Sequence, residues 1–222
     1  MDKVNPRRRY DASGRRARAR QTQEEIAQAA QRLFQANGYA RTTIADVAQE
    51  ADVSAETIYK AFGSKGALLG AVVTTSIRGD TDATPLRRRP VIDAIRQEQD
   101  PRRQLELYGT LLAEVNPRLA PLVRVMREAA TTDPDIAAAL RQLRANRLEG
   151  MTEFAALLAN RGALRSDISK QQARDVLWTL NSPELYELLV LERGWSARRY
   201  GRWIAQQLTA ALLERPNPPV RA

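Results

Sequence analysis

The sequence predicts an all-α chain, with a small N-terminal three-helix helix-turn-helix unit and a larger helical domain behind it. Three observations predict it. Apolar residues recur at three- and four-residue spacing in one segment after another, which marks a helix face. Ser, Thr or Asp stands at the start of most of these segments, where a helix needs a side-chain cap. Between Arg41 and Lys65 two short stripes are joined by a tight turn, Ala51-Asp52-Val53, the spacing of two helices meeting at a steep angle.

Residues 1–20 carry eight basic against two acidic residues, most of the formal net charge of +9. Pro6, Gly14 and the lack of an apolar stripe predict a disordered or partly helical arm. The first firm helix is expected over 22–37, with Ile26, Ala29, Ala30, Leu33 and Phe34 on its inner face. Thr22 with Glu25 resembles a capping box, and Asn37-Gly38 ends the helix.

Thr43 with Asp46 predicts a second cap, and Ile44, Val47, Ala48 and Ala51 form the stripe behind it. Ser54 caps the next helix, with Val53 and Ile58 at the two positions of a hydrophobic staple. Val53, Ile58 and Phe62 should face inward. Ala55, Glu56, Thr57, Tyr59 and Lys60 then form an outer face of small, hydroxyl, aromatic and cationic residues, as a helix reading DNA needs. Lys65 opens a helix over 64–78, where a cation opposes the helix dipole unless a phosphate sits there.

The segment 79–90, with Gly79, Pro85, Pro90 and three consecutive arginines, reads as a linker. A short amphipathic piece follows at 91–98. Asp100-Pro101 starts a helix over 101–115, which Pro117 and Pro121 should separate from another carrying Leu122, Val123, Val125 and Met126. Asp133-Pro134 opens the longest helix, about 134–161, with Ile136, Leu140, Leu143, Leu148, Met151, Phe154, Leu157 and Leu158 as its stripe. The last two helices are expected over 169–192, kinked at Ser182-Pro183, and 196–214. The expected organisation is an arm (1–20), a helix-turn-helix domain (21–66), a regulatory and dimerisation domain (67–215) and a tail (216–222).

Composition bounds the chemistry. The 222 residues are 43% hydrophobic, and the pI near 10.4 favours polyanionic partners. The chain has neither cysteine nor histidine. That removes disulfides, thiol nucleophiles, Cys/His zinc sites and imidazole acid–base catalysis. No catalytic residue, metal site or cofactor is expected. Glu106, Glu114 and Glu153 are the carboxylates an enzyme would use, but no nucleophile motif accompanies them. No apolar run reaches the roughly 20 residues of a membrane span, and no secretory signal is recognisable. A cytoplasmic, nucleoid-associated protein is expected.

The run Ala30-x-x-Leu33-Phe34-x-x-x-Gly38-Tyr39-x-x-Thr42-Thr43-Ile44-x-x-Val47-Ala48-x-x-Ala51-x-Val53-Ser54-x-x-Thr57-Ile58-Tyr59-x-x-Phe62-x-Ser64-Lys65-x-x-Leu68-Leu69 strongly resembles the N-terminal domain of the TetR family of bacterial transcriptional repressors. The resemblance implies a homodimer on double-stranded DNA at a palindromic operator, regulated by a small-molecule effector not identifiable from sequence. By position it implies DNA contacts at Thr42, Thr43, Ala55, Glu56, Thr57, Tyr59, Lys60 and Lys65, and Arg41 and Ser54 complete the expected DNA-binding set. Ala61 and Gly66 depart from the family pattern; the glycine costs about 1 kcal/mol relative to Ala within a helix. Arg15, Arg16, Arg18 and Arg20 of the arm either neutralise phosphates or form a solvated tail, and the neighbouring helix-turn-helix favours the first.

For the second domain, Tyr108, Leu112, Met126, Met151, Phe154 and Trp178 are the expected pocket lining, although apolar residues at helical spacing are more often plain core. Leu185, Leu188, Leu189, Trp203, Ile204, Leu208, Ala211 and Leu212 are the expected dimer interface, forming a four-helix bundle with a second copy. The rival to a sequence-specific regulator is a basic helical protein that binds any nucleic acid or anionic surface.

Overall fold

The computed structural model describes residues 12–79 and 86–214. The expectations for residues 1–11, for Pro85 and its neighbours in the linker, and for the tail from 215 lie outside the described residues. So does the side chain of Arg16. Among the described residues ten α-helices follow in order: α1 (Ala12–Arg41), α2 (Ile44–Glu50), α3 (Ala55–Phe62), α4 (Lys65–Arg78), α5 (Pro90–Gln97), α6 (Pro101–Ala129), α7 (Pro134–Asn160), α8 (Lys170–Leu180), α9 (Pro183–Tyr186) and α10 (Ala197–Leu212). A 3₁₀ turn (Leu86–Arg88) precedes α5, and α9 runs on into a π-turn over Glu187–Glu192. Among the described residues no helix is long and apolar enough to cross a membrane.

Helix α1 starts ten residues earlier than the apolar stripe suggests. Thr22 is therefore interior, not a cap, and the arm is helical from Ala12. Its first fully buried side chain is Ile26, so about four basic turns extend beyond the core. Gly38, at φ 76°, breaks the helix, a backbone angle that L side chains rarely adopt. The turn that follows is fixed by Thr42, whose hydroxyl donates to the carbonyls of Leu33 and Gly38.

Two cores result. The first joins α1–α4 to the C-terminal half of α6 and the start of α7: Phe34, Val47, Ile58, Leu68, Leu69, Val72, Leu122, Met126 and Ile136 are buried together. The second lies among α5–α10 around Leu105, Tyr108, Leu158, Leu177, Tyr200 and Leu208.

The expected break at Pro117 and Pro121 is absent, and α6 is one helix of 29 residues. Each proline removes one intrahelical hydrogen bond. The packing on either side outweighs that loss, because Val115, Asn116, Ala120, Leu122 and Val123 are all buried while Pro117 faces solvent.

Helix α10 packs on α6 through Gly109 and Gly201, whose backbones approach closely. A Cβ at Gly109 would lie 2.3 Å from the Gly201 carbonyl oxygen, and one at Gly201 would lie 2.5 Å from that of Gly109. The stripe of α10 is therefore spent inside the subunit. Ile204, Leu208 and Leu212, expected at the dimer interface, are fully buried here. They belong to the core, because the glycine contact pulls α10 onto α6.

Candidate DNA-binding head and interhelical cavity

The head is built from caps and one stripe. Thr43 Oγ1 accepts from Asp46 N–H (3.1 Å) and Asp46 returns the bond to Thr43 N–H (2.8 Å), a complete capping box. Those bonds hold the Asp46 carboxyl below its usual range. Ser54 Oγ accepts from Thr57 N–H and also bonds the Thr57 hydroxyl. With its start fixed, α3 buries Ile58 and turns Glu56, Tyr59 and Lys60 to solvent. Tyr59 is 53% exposed, the most exposed of the large hydrophobic side chains described. Nothing in the fold of this subunit needs an aromatic ring there, whereas a nucleic-acid face does.

Arg41, Thr43, Ser54, Glu56, Tyr59 and Lys60 are all exposed, and Ala55 and Thr57 are half-buried. Arg15, Arg18 and Arg20 are exposed on the extension of α1. Thr42 does not belong with them: it is fully buried, and its hydroxyl is committed to the turn. It fixes the position of Thr43 but offers no side-chain contact to DNA.

Lys65 has an internal role that the spacing did not reveal. Its Nζ donates to the carbonyls of Tyr39 and Thr42, both at 3.0 Å, and lies 4.1 Å from the Tyr39 ring centre. A cation on the carbonyls at the end of α1 suits that helix end, which explains why Lys65 tolerates the first turn of α4. At most one of its three donors remains for a phosphate.

Tyr39 connects the head to the rest of the chain. Its ring stacks on Phe34 at 5.9 Å, and its hydroxyl donates to Asp133 Oδ2 at 2.8 Å. Asp133 caps α7, its Oδ1 accepting from the N–H groups of Asp135 and Ile136. Burial, reinforced by that carboxylate, pushes the Tyr39 phenol well above its ordinary range. The Tyr39 hydrogen bond in turn holds the Asp133 carboxyl below its own range. The contact is therefore intact at neutral pH and is lost as pH falls through the lowered value of Asp133. Tyr39→Phe is expected to cost about 1 kcal/mol. The stability gap between wild type and variant should be constant above the ordinary carboxylate range and close in acid, as urea midpoints across pH will show. A gap that persists in acid would mean that the hydroxyl stabilises the fold independently of the charge on Asp133.

Beyond α4 lies a cavity of about 850 Å³, within the roughly 300–1,000 Å³ of ligand sites. Its walls come from α4 (Thr74, Ile77, Arg78), α5, α6 (Tyr108, Leu112, Val115, Asn116), α7 (Leu143, Arg144, Arg147, Met151, Phe154) and the start of α9 (Pro183, Glu184). Tyr108 meets Phe154 edge-on at 5.1 Å and donates to Met151 Sδ. Four of the six expected lining residues, Tyr108, Leu112, Met151 and Phe154, are on the wall. Met126 is not: it lies in the first core, because α6 continues past the prolines and carries it to the head side. Trp178 is also absent from the wall and packs behind it beneath Arg147.

Sequence reasoning missed the polar lining, and one signal was available. The stripe of α7 runs through Leu140, Leu143, Met151, Phe154 and Leu158, with Arg147 standing at the inward position between Leu143 and Met151. Leu148, assigned to that stripe, is exposed instead.

Comparison with known proteins agrees with this geometry. Residues 26–72 match the family model described as bacterial regulatory proteins, tetR family. No curated protein matches the chain. Its fold is similar to a TetR transcription regulator from Haloarcula marismortui (20% identity, 86% of this chain and 98% of that chain, TM-score 0.63). It is also similar to NalD, the secondary repressor of the MexAB-OprM multidrug efflux pump in Pseudomonas aeruginosa (17%, 87% and 97%, 0.65). A third similar structure is the transcriptional regulator FadR from Bacillus subtilis in complex with stearoyl-CoA (16%, 83% and 96%, 0.65).

Proposed function

We propose that this chain, a transcriptional regulator with a tetR-family DNA-binding domain, is a cytoplasmic repressor that holds a palindromic operator as a homodimer and releases it when a small molecule enters the interhelical cavity. The observation that carries the reading is the double use of α4. Leu68, Leu69, Val72 and Val73 lie in the core of the head, while Thr74, Ile77 and Arg78 form a wall of the cavity. A molecule that alters the cavity wall acts on the element that seats α3. A ligand shifts such an equilibrium only as far as it prefers one arrangement over the other. The repressor role of one structural neighbour and the acyl-CoA ligand of another support the reading.

The dimer face we assign to the segment after α9. Leu188 and Leu191 are 50% and 47% exposed, while Leu185, Leu189, Trp203 and Ala211 are half-buried nearby in sequence or on α10. Leu185, Leu188, Leu189, Trp203 and Ala211 remain of the interface expected from sequence once the buried residues of α10 are removed, and Leu191 joins them by its exposure.

Selection of bound duplexes from a random library is expected to enrich a near-palindrome with half-sites one helical turn, or a multiple, apart. The winner should bind at least ~10³ times tighter than scrambled DNA. Affinity set by salt alone would overturn the reading in favour of non-specific binding. On the selected operator, Lys60→Ala should weaken binding and lower the salt slope by about one if it contacts a phosphate. An unchanged slope would move Lys60 from phosphate to base edge.

A further inference from the structure

The cavity wall carries a half-buried cation that has no ion-pair partner. Arg147 stands on the apolar face of α7, its guanidinium carbon 4.6 Å above the Trp178 ring centre. Its Nη1 is buried and has no hydrogen-bond partner. No carboxylate among the described residues lies within ion-pair distance of it. Burial is the largest influence on this guanidinium and weakens its hold on the proton. An unmade hydrogen bond from a buried charged group is among the costlier defects a core can keep.

The surrounding charges decide which ligand would relieve it. Glu184 also leaves one oxygen, Oε2, without a partner. Its other oxygen already faces two cations, Arg127 at 3.4 Å and Arg144 at 3.9 Å, and Arg127 bonds Glu187 at 2.5 Å as well. The guanidiniums of Arg127, Arg144 and Arg147 therefore outnumber the carboxylates of Glu184 and Glu187, and Arg147, which feels Glu184 only at a distance, is the one left without an ion pair. A cationic ligand would enter a site already positive by one charge, whereas an anion neutralises it. Away from this corner the wall combines an apolar and aromatic patch, with Tyr108, Leu112, Met151 and Phe154, and two cations, Arg78 and Arg96, that are balanced in number by Glu149 and Glu153.

We propose that the cavity takes an amphiphilic carboxylic acid, its apolar chain lying between α6 and α7 and its carboxylate accepting from the Arg147 guanidinium, which turns to meet it. The proposal rests on the reading of this cavity as the effector site, but its test requires no DNA. DNA-free protein is titrated calorimetrically with dodecanoate, dodecanol and dodecylamine, each below its micelle concentration. A charge-assisted hydrogen bond is worth about 1.5–3 kcal/mol, so dodecanoate should bind roughly 10–100 times tighter than dodecanol, with dodecylamine weakest. Arg147→Gln should remove the preference for acid over alcohol and leave the affinity for dodecanol, and Arg147→Lys should restore part of it. If the glutamine variant does not fold, as far-ultraviolet circular dichroism will show, the wild-type series decides alone. Equal binding of acid and alcohol, preference for the amine, no binding of any of the three, or a folded glutamine variant that keeps the preference would each overturn the proposal. Dodecanoate that binds as expected yet leaves the selected operator bound would retain it and overturn release as the function.

Discussion

Gly109→Ala is expected to drop the unfolding midpoint by the largest amount of any single methyl addition to this chain. The added Cβ would sit 2.3 Å from the Gly201 carbonyl oxygen and 3.0 Å from Ala205 Cβ. The obstructing atoms belong to backbone and to the stem of a small residue, and no flexible side chain is there to move aside. Helices α6 and α10 must therefore separate, opening the core at Tyr200, Ile204 and Leu208, all fully buried. Overpacking costs 1–3 kcal/mol and sometimes more, and here about 3 kcal/mol or above is expected, out of a total of roughly 5–15. For a chain of this length that is a fall of about 6–12 °C in Tm.

The reverse change provides the control. Gly70 lies inside α4, and a methyl added there would have nothing within 4 Å, so Gly70→Ala should stabilise by up to about 1 kcal/mol. Urea titration of both variants checks the pair. If Gly109→Ala proves as mild as an ordinary surface change, within about 0.5 kcal/mol, the α6–α10 contact is looser than the geometry described.

The head was legible in the sequence because its instructions are local. Thr43 with Asp46, and Ser54 with Thr57, are caps closed within four residues, and the stripe through Ile44, Val47 and Ala48 needs no knowledge of a distant partner. The start of α1 was not legible, since no large apolar residue marks the turns before Ile26 and helix propensity carries them. The continuity of α6 was hidden for the opposite reason. Pro117 and Pro121 are strong local breakers, overruled by packing that only the tertiary fold supplies. Lys65 and Thr42 were assigned outward although both are held by carbonyls at the end of α1, across distances the spacing cannot express. The cavity followed the same pattern: apolar members could be guessed from stripes, but Arg147, Arg144 and Glu184 come together only once α7 meets α9.

The second large effect is expected at the surface. Leu188→Glu with Leu191→Glu should convert the proposed dimer to a folded monomer and weaken binding to the selected operator by about 10²–10⁴. The cause is not a lost DNA contact, because both residues lie far along the chain from the head, in the turn between α9 and α10. Two exposed leucines within four residues, 50% and 47% accessible, contribute little to the isolated subunit, so stability per subunit should move by no more than about 0.5 kcal/mol. In a dimer the same side chains would be buried, and two glutamates per subunit would place four like charges at a two-fold axis. The two heads then bind independently, and the second half-site no longer gains from the first. Sedimentation equilibrium reports the oligomeric state, and an operator titration on the same sample reports the affinity. A variant that stays dimeric would move the interface elsewhere, to the half-buried faces of α8 and α10. One that becomes monomeric but holds the operator as tightly as before would show that a single head suffices, and would overturn recognition of a palindrome by a symmetric pair.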